Sequence, residues 1–380
     1  IGAGLAGLKA AERARRHDLD VVIVEKSTGR TNLSSVAGGA IGILAGAWQI
    51  SNPHTLHSLY ERGVLGGAWE IMYGKDQRME EITAVEQVPY QDELAEFGCL
   101  NPRDLKSYGP NIRMTWAATG PLYKHVQKVG CKLMKFFTVT DLLVSDGEIS
   151  GAVGFDVSKG HFVAINAKSV VMATGGAGNC WARNNVPFRS SGDGHAIAYR
   201  NGLEMNMMEY ESFDAWIIAE EGVPNYWIPP SFGRTMSTVY NANGEDFLQK
   251  YLTLGPDATL VQGDPFHLKY GTPVIDNVAT IARAMAMEVH EGRGDKGAVL
   301  VDFTKVPDKA WESEGKGIAF LHLMRDFDWK KKPIRMFPGA LGSWGGCKIN
   351  EHCETNIQGL YAGGEVSYGE DLKYTNVFGS

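Results

Sequence analysis

Residues 1–25, IGAGLAGLKAAERARRHDLDVVIVE, set three closely spaced glycines ahead of an alanine-rich segment and a β-branched run. Gly2-Ala3-Gly4-Leu5-Ala6-Gly7 fits GxGxxG and runs straight into an alanine-rich helical segment from about Leu5 to Arg16. Three glycines at that spacing permit a tight turn, close approach of the backbone to a pyrophosphate, and close packing of the helix on a strand. The helix N-terminus that follows favours the phosphate charge. Val21 to Glu25 (VVIVE) is a short β-branched run of the kind found in buried parallel strands. Glu25 ends that run at the spacing expected of a carboxylate that binds a ribose hydroxyl. GxGxxG alone is a weak signal, and a glycine-rich turn plus a surface glutamate is the plain alternative. The joint spacing favours a dinucleotide fold. Such a fold needs a strand ahead of Gly2, where only Ile1 stands, so further residues are expected before it. The chain also stops at Phe378-Gly379-Ser380 with no helix after it, and a continuation is expected there too.

Outward from this start, the order of elements is that of an α/β nucleotide-binding domain. Lys135 to Val157 reads as two or three strands with a turn at Asp146-Gly147, and Ser169 to Thr174 (SVVMAT) as another buried strand ending in glycines. From about Met205 the texture changes to tryptophan, proline and tyrosine, with Trp216, Tyr226 and Trp227 as a cluster that reads as domain core or as an aromatic pocket. An amphipathic helix places Val278, Ile281, Met285 and Val289 on one face before a stop at Gly292-Arg293-Gly294. After Pro333 the glycine-rich, strand-like character returns. The expected organisation is a Rossmann-like domain over residues 1–204 and 331–380, split by an inserted α+β domain over 205–330.

Composition sets the outer limits. With 380 residues, 44% hydrophobic and 21% charged, the chain is not disordered, collagenous or a membrane bundle. Its net charge of -7 gives no positive field for a nucleic acid backbone. No apolar run approaches the roughly 20 residues needed to span a bilayer. Cys99, Cys131, Cys180, Cys347 and Cys353 form no CxxC pair, which points to reduced thiols in the cytoplasm, the cytoplasmic face of a membrane complex included. Metal ligation by this chain alone is not expected, because structural zinc and iron-sulfur sites take several closely spaced thiolates.

Four further segments complete a pattern: Arg30 to Gly42 (RTNLSSVAGGAIG), Ala173-Thr174-Gly175-Gly176, Ser191-Gly192-Asp193-Gly194-His195, and Thr355 to Val366 (TNIQGLYAGGEV). Together with the opening motif they resemble, in order and over nearly the whole chain, the flavoprotein subunit of the fumarate reductase and succinate dehydrogenase superfamily. The resemblance implies an FAD-binding domain with a mobile capping domain as the insert. It implies that Gly2, Gly4 and Gly7 approach the FAD pyrophosphate, that Glu25 and Lys26 lie at the adenosine end, and that Ser34, Ser35, Gly38 and Gly39 pass beside the flavin ring. Val139 becomes the backbone contact to adenine. Ala173, Thr174 and Gly175 form a cofactor-side turn, Asp193 faces the ribityl and flavin region, and Glu365 lies at the ribityl or pyrophosphate. Ser34 stands where many relatives carry a histidine tethered to the flavin, so FAD is expected to be non-covalent.

Elsewhere the family pattern fails. Asp214, in Met208 to Asp214 (MEYESFD), and Leu341, in Gly339 to Gly346 (GALGSWGG), stand where the family has substrate-binding histidines, and Val377 where it has an arginine. Arg234, ahead of Tyr240 to Glu245, is the candidate catalytic arginine, with a surface arginine as the alternative. Asp214, Trp344, Arg335 and Lys373 are candidate substrate-lining residues. Glu288, Glu291 and Arg293 resemble the end of the capping-domain helix and read as architecture, with His290 a solvated helix histidine. The implied function is an FAD-dependent oxidoreductase subunit that holds a small, non-dicarboxylate substrate between the FAD domain and the cap. Its electron partner would be an iron-sulfur subunit or a carrier. Two alternatives stand beside it: a relative of the adenylylsulfate reductase alpha subunit, and an electron-transfer flavoprotein scaffold without a substrate pocket. An NAD-dependent dehydrogenase fits least, because it has no need of glycine turns at ATGG and GDG.

Overall fold

The computed structural model describes residues 1–27, 41–43, 78–79, 82, 93, 96–98, 106–107, 113–115, 119–184, 186, 189–223, 225, 228, 237–252, 278–306, 328–343 and 345–368. The chain divides into two compact units: residues 1–180, 186–211 and 342–380 form the first, and residues 181–185 and 212–341 the second.

The first unit opens with α1 (Leu5–Arg16) and β1 (Val22–Glu25). Strands β2 (Ile41–Ile43), β3 (Lys106–Ser107) and β4 (Arg113–Thr115) make a small antiparallel sheet. Helix α2 (Thr119–Lys128) leads to β5 (Lys132–Lys135), which pairs in parallel with β1. An antiparallel meander follows, formed by β6 (Phe137–Ser145), β7 (Glu148–Asp156) and β8 (His161–Asn166). Its first turn is made by Asp146 at φ 52° and Gly147 at φ 81°, the left-handed pair that an Asp-Gly hairpin provides. Then come β9 (Val170–Met172), α3 (Asp193–Arg200) and β10 (Met205–Asn206).

Residues 1–2 tie the parallel strands together. Gly2 N–H donates to the Val24 carbonyl at 2.8 Å on one side, and Ala173 N–H donates to the Ile1 carbonyl at 2.8 Å on the other. Hydrogen bonding therefore runs from β9 through residues 1–2 to β1 and on to β5. Behind that layer, Leu5, Leu8 and Ala11 of α1 pack on Leu122, Tyr123 and Val126 of α2 and on Ile23 of β1. The helix forms because its apolar residues recur three and four apart, and packing of that face, more than propensity, stabilises it.

The second unit is built on a four-stranded sheet in the order β11-β14-β13-β12, from β11 (Glu211–Ile218), β12 (Thr238–Tyr240), β13 (Val299–Asp302) and β14 (Ile334–Ser343). Its helices among the described residues are α4 (Leu248–Leu252) and α5 (Val278–His290). Ile281 and Met285 of α5 meet Trp216, Ile218, Val299, Val301 and Met336 of the sheet in one core. Trp216 is fully buried there, which makes it core and not the wall of a pocket. The chain then returns to the first unit through β15 (Gly346–Cys347), paired with β10, and β16 (Leu360–Ala362), paired in parallel with β9.

The division between units lies later in the chain than residues 205 and 330. Strand β10 pairs with β15 and stays with the first unit, whereas β14 carries the second unit's sheet as far as Leu341.

Candidate functional site

The site grows from the glycine turn of the first unit. Gly2 has φ 101°, and a Cβ placed on it would run into the Ala173 carbonyl oxygen. A Cβ on Gly7 would collide with the carbonyl of Gly2, so α1 can start this close to the turn only with glycine there. Gly4 is the N-cap of α1 and makes no side-chain hydrogen bond to the first turn. The helix end is thus left without a side-chain cap, the arrangement in which an anion is favoured.

Glu25 is buried, and its two oxygens face different backbone segments: Oε2 accepts the Ala3 N–H of the turn at 2.8 Å and Oε1 the Ser27 N–H, just after β1, at 2.8 Å. Each oxygen keeps acceptor capacity for a hydroxyl. Glu25→Ala is expected to destabilise the first unit by about 2 kcal/mol, because two amide donors lose a charged acceptor. Thermal unfolding and the flavin retained on purification would register it together.

The adjoining turns carry the remaining cofactor-side residues. Lys26 Nζ contacts Asp193 Oδ2 at 2.7 Å and Ser191 Oγ at 3.0 Å, so two expected cofactor contacts are joined as an ion pair between the end of β1 and the start of α3. Val139 turns its side chain into the core and pairs with Gly154 of β7, beside a bulge in β6. Ala173 follows β9, and the Thr174 hydroxyl is buried without a hydrogen-bond partner. At Gly176 the Glu365 carboxylate lies where a side chain would stand, so any larger residue there would have to displace it. Glu365 Oε1 accepts the Ser343 N–H at 2.9 Å, and the carboxylate also accepts the Gly176 N–H. Burial pushes the Glu365 carboxyl up to about 7, and the neighbouring Glu211 adds to the rise. His195, on α3, is 6% exposed with Nε2 at 3.0 Å from the Gly345 carbonyl; burial lowers its pKa, so the ring is neutral and Nε2 is the donor.

Among the expected substrate-side residues, Arg335 is placed by the structure on β14 in the second unit. Its Nη1 pairs with Glu220 Oε2 at 2.8 Å and its Nη2 with Asp295 Oδ2 at 2.6 Å, so its charge is already matched by two carboxylates. Asp214 lies on β11 and Leu341 on β14, which are neighbouring strands. Ser34, Ser35, Gly38, Gly39, Tyr226, Trp227, Arg234, Trp344, Lys373 and Val377 lie outside the described residues. Glu211 and Ser343 do not stand out in the sequence, although both touch the Glu365 cluster. Glu211 stands between Tyr210 and Ser212 in MEYESFD, and neither it nor Ser343 carries a local signal.

These features match known proteins. The FAD binding domain family matches residues 1–374. The chain is 27% identical over 386 residues to one of the subunits of the fumarate reductase (CoM/CoB) of Methanothermobacter marburgensis, which covers 97% of this chain and 66% of that one. It is 32% identical over 238 residues to an uncharacterised FAD-dependent oxidoreductase of Methanocaldococcus jannaschii, covering 63% of this chain and 40% of the relative. Its fold superposes on the quinol fumarate reductase flavoprotein of Escherichia coli with a TM-score of 0.78 at 22% identity, over 99% of this chain and 65% of that one. The chain thus spans between 40% and 66% of the length of these relatives. The fit to the cofactor rests on the site itself: a glycine turn that excludes Cβ atoms, a buried carboxylate beside it with spare acceptor capacity, and the orphaned Thr174 hydroxyl. The chain belongs to the FAD binding domain family, is similar in sequence to fumarate reductase subunits, and its cofactor is FAD.

Proposed function

We propose that the protein is an FAD-dependent oxidoreductase that acts on a small organic substrate other than a simple dicarboxylate and exchanges electrons with an iron-sulfur partner or a carrier. The observation that carries the substrate reading is the replacement of the family's anchors: Asp214 on β11 and Leu341 on β14 stand on neighbouring strands where histidines are expected, with Val377 in place of an arginine. A hydrogen bond between charged groups contributes about 1.5 to 3 kcal/mol. Loss of three such anchors would weaken a dicarboxylate by roughly three to six orders of magnitude.

In this reading the first unit holds the cofactor and the second is the capping domain. Gly2, Gly4 and Gly7 let the backbone and the start of α1 approach the pyrophosphate, and Glu25 takes the ribose hydroxyls with Lys26 beside it. Val139 offers backbone to the adenine, Ala173 to Gly175 and Asp193 line the flavin side, and Glu365 closes the Gly176 turn; Ser34, Ser35, Gly38 and Gly39 complete it by resemblance. Arg234 is the proposed proton-donating arginine, with Asp214, Trp344 and Lys373 as lining residues. Bound FAD supplies hydride and electron transfer, while the chain binds, orients and sets the local charge. Support for a partner subunit comes from the Methanothermobacter relative, which is itself one subunit of a larger enzyme; that the partner carries iron-sulfur centres is what the resemblance implies. No helix among the described residues is long and apolar enough to cross a membrane.

The test is reoxidation of the reduced flavoprotein by a panel containing fumarate, sulfite with AMP, and enoyl-CoA compounds. The purified protein is expected to show a flavin spectrum, to release FAD on denaturation, and to give no turnover with fumarate. Rapid reoxidation by fumarate would overturn the substrate reading, and a flavin that stays with the denatured chain would overturn the non-covalent one.

A further inference from the structure

Two carboxyl groups meet at the Gly176 turn, and only Glu365 belongs to the flavin pattern. The second, Glu211, is the first residue of β11 and is joined to the cluster by Ser343. Ser343 offers its N–H to Glu365 at 2.9 Å, accepts the Ala177 N–H on its hydroxyl oxygen at 3.0 Å, and gives its hydroxyl proton to Glu211. A hydroxyl has one proton to donate, so Ser343 satisfies a single oxygen of Glu211. The other, Oε1, is buried without a hydrogen-bond partner.

A buried ionised carboxylate with an unsatisfied oxygen is costly, whereas a carboxylic acid in the same place is not. The donors that reach this pair are neutral: two backbone amides for Glu365 and one hydroxyl for Glu211. The charged group acting on Glu365 is Glu211 itself. On the elements packed around them, His195 of α3 is held neutral by burial, with Nε2 on the Gly345 carbonyl, and Lys26 is engaged by Asp193.

We propose that Glu211 and Glu365 act as one unit, coupled through Ser343, which holds a single shared proton at neutral pH, and that Glu211 is thereby a positioning residue of the flavin site. Like charges this close do not both ionise readily, and the two protons of such a pair leave in separate steps that belong to the pair. Burial raises the pKa of each carboxyl, in keeping with one proton retained. The shared proton keeps a second negative charge away from the turn. That last consequence rests on FAD lying there, whereas the proton sharing itself does not.

Carbon-13 NMR of the full-length protein labelled at the glutamate carboxyl reads the two groups directly, without substrate. The parent is expected to show two coupled steps, the upper one near neutrality. Glu211→Gln should leave a single step for Glu365, moved down by about one pH unit because the like charge is gone. Glu365→Gln should do the same to Glu211, and it serves if the first variant fails to fold. A merely structural Glu211 would lower stability and leave the Glu365 midpoint in place; that result, or a parent in which both groups ionise well below neutrality, overturns the proposal. Neither outcome bears on the substrate panel, so the two readings fail separately.

Discussion

Gly2→Ala is expected to strip the protein of most of its flavin and to destabilise the first unit by about 2 to 5 kcal/mol. Two independent effects add. The backbone at Gly2 has φ 101°, which an L side chain adopts at a cost of roughly 1 to 2 kcal/mol. The new Cβ would also overlap the Ala173 carbonyl, which is fixed by the hydrogen bond from Ala173 N–H to Ile1, and overpacking of this kind costs about 1 to 3 kcal/mol. Relief would have to move residues 1–2 away from β9, the layer from which the turn is hung. The flavin-to-protein absorbance ratio should fall at least about tenfold. Gly160→Ala separates the two effects: Gly160 has φ 74° with nothing near its would-be Cβ, so it should cost about 1 kcal/mol and leave the flavin ratio at the parent value. A Gly2→Ala protein that keeps the parent's flavin ratio and unfolding midpoint would remove the glycine turn from the cofactor site.

The opening of the chain is legible because its signals are local. The alanine-rich helix, the VVIVE strand and the Asp-Gly hairpin are each set by residues a few positions apart, and the structure places α1 at Leu5–Arg16 as the spacing indicates. What resists reading is everything decided by distant neighbours. Arg335 looks like an available cation in sequence, yet it is matched by Glu220, 115 positions away, and by Asp295. Glu211 reads as one more acid in a mixed strand; its environment comes from Ser343, which arrives from another strand far later in the chain. The boundary of the second unit escapes composition for the same reason. Change of texture near Met205 marks where aromatic residues begin, whereas the pairing of β10 with β15 decides which unit owns the strand. The end of α5 reads as architecture from its EGRG ending, but its central role is not visible there, because the partners of Glu288 lie on other segments.

Glu288 is expected to be the most acid-sensitive point of the second unit. Its carboxylate is fully buried and takes Arg293 Nε at 2.6 Å and Nη2 at 2.7 Å, the Tyr251 hydroxyl at 2.6 Å and the Asn241 amide at 3.0 Å. These donors outweigh desolvation and hold the Glu288 carboxyl down to about 2, with the hydrogen bond from Arg293 the largest influence. A carboxyl depressed from its ordinary value of 4.5 contributes its stabilisation fully above that value, and the contribution is lost as pH falls towards about 2. The span corresponds to roughly 3 kcal/mol. Glu288→Gln should therefore destabilise the second unit at neutral pH by that amount, and flatten its decline on acidification. Trp216 fluorescence reports on that core directly, since the indole is fully buried in it. Tyr251→Phe removes one neutral donor from the same carboxylate and should cost about 1 kcal/mol while most of the acid sensitivity remains. If Glu288→Gln unfolds at the parent's midpoint, or keeps the parent's slope against pH, the buried ion pair does not hold this unit together.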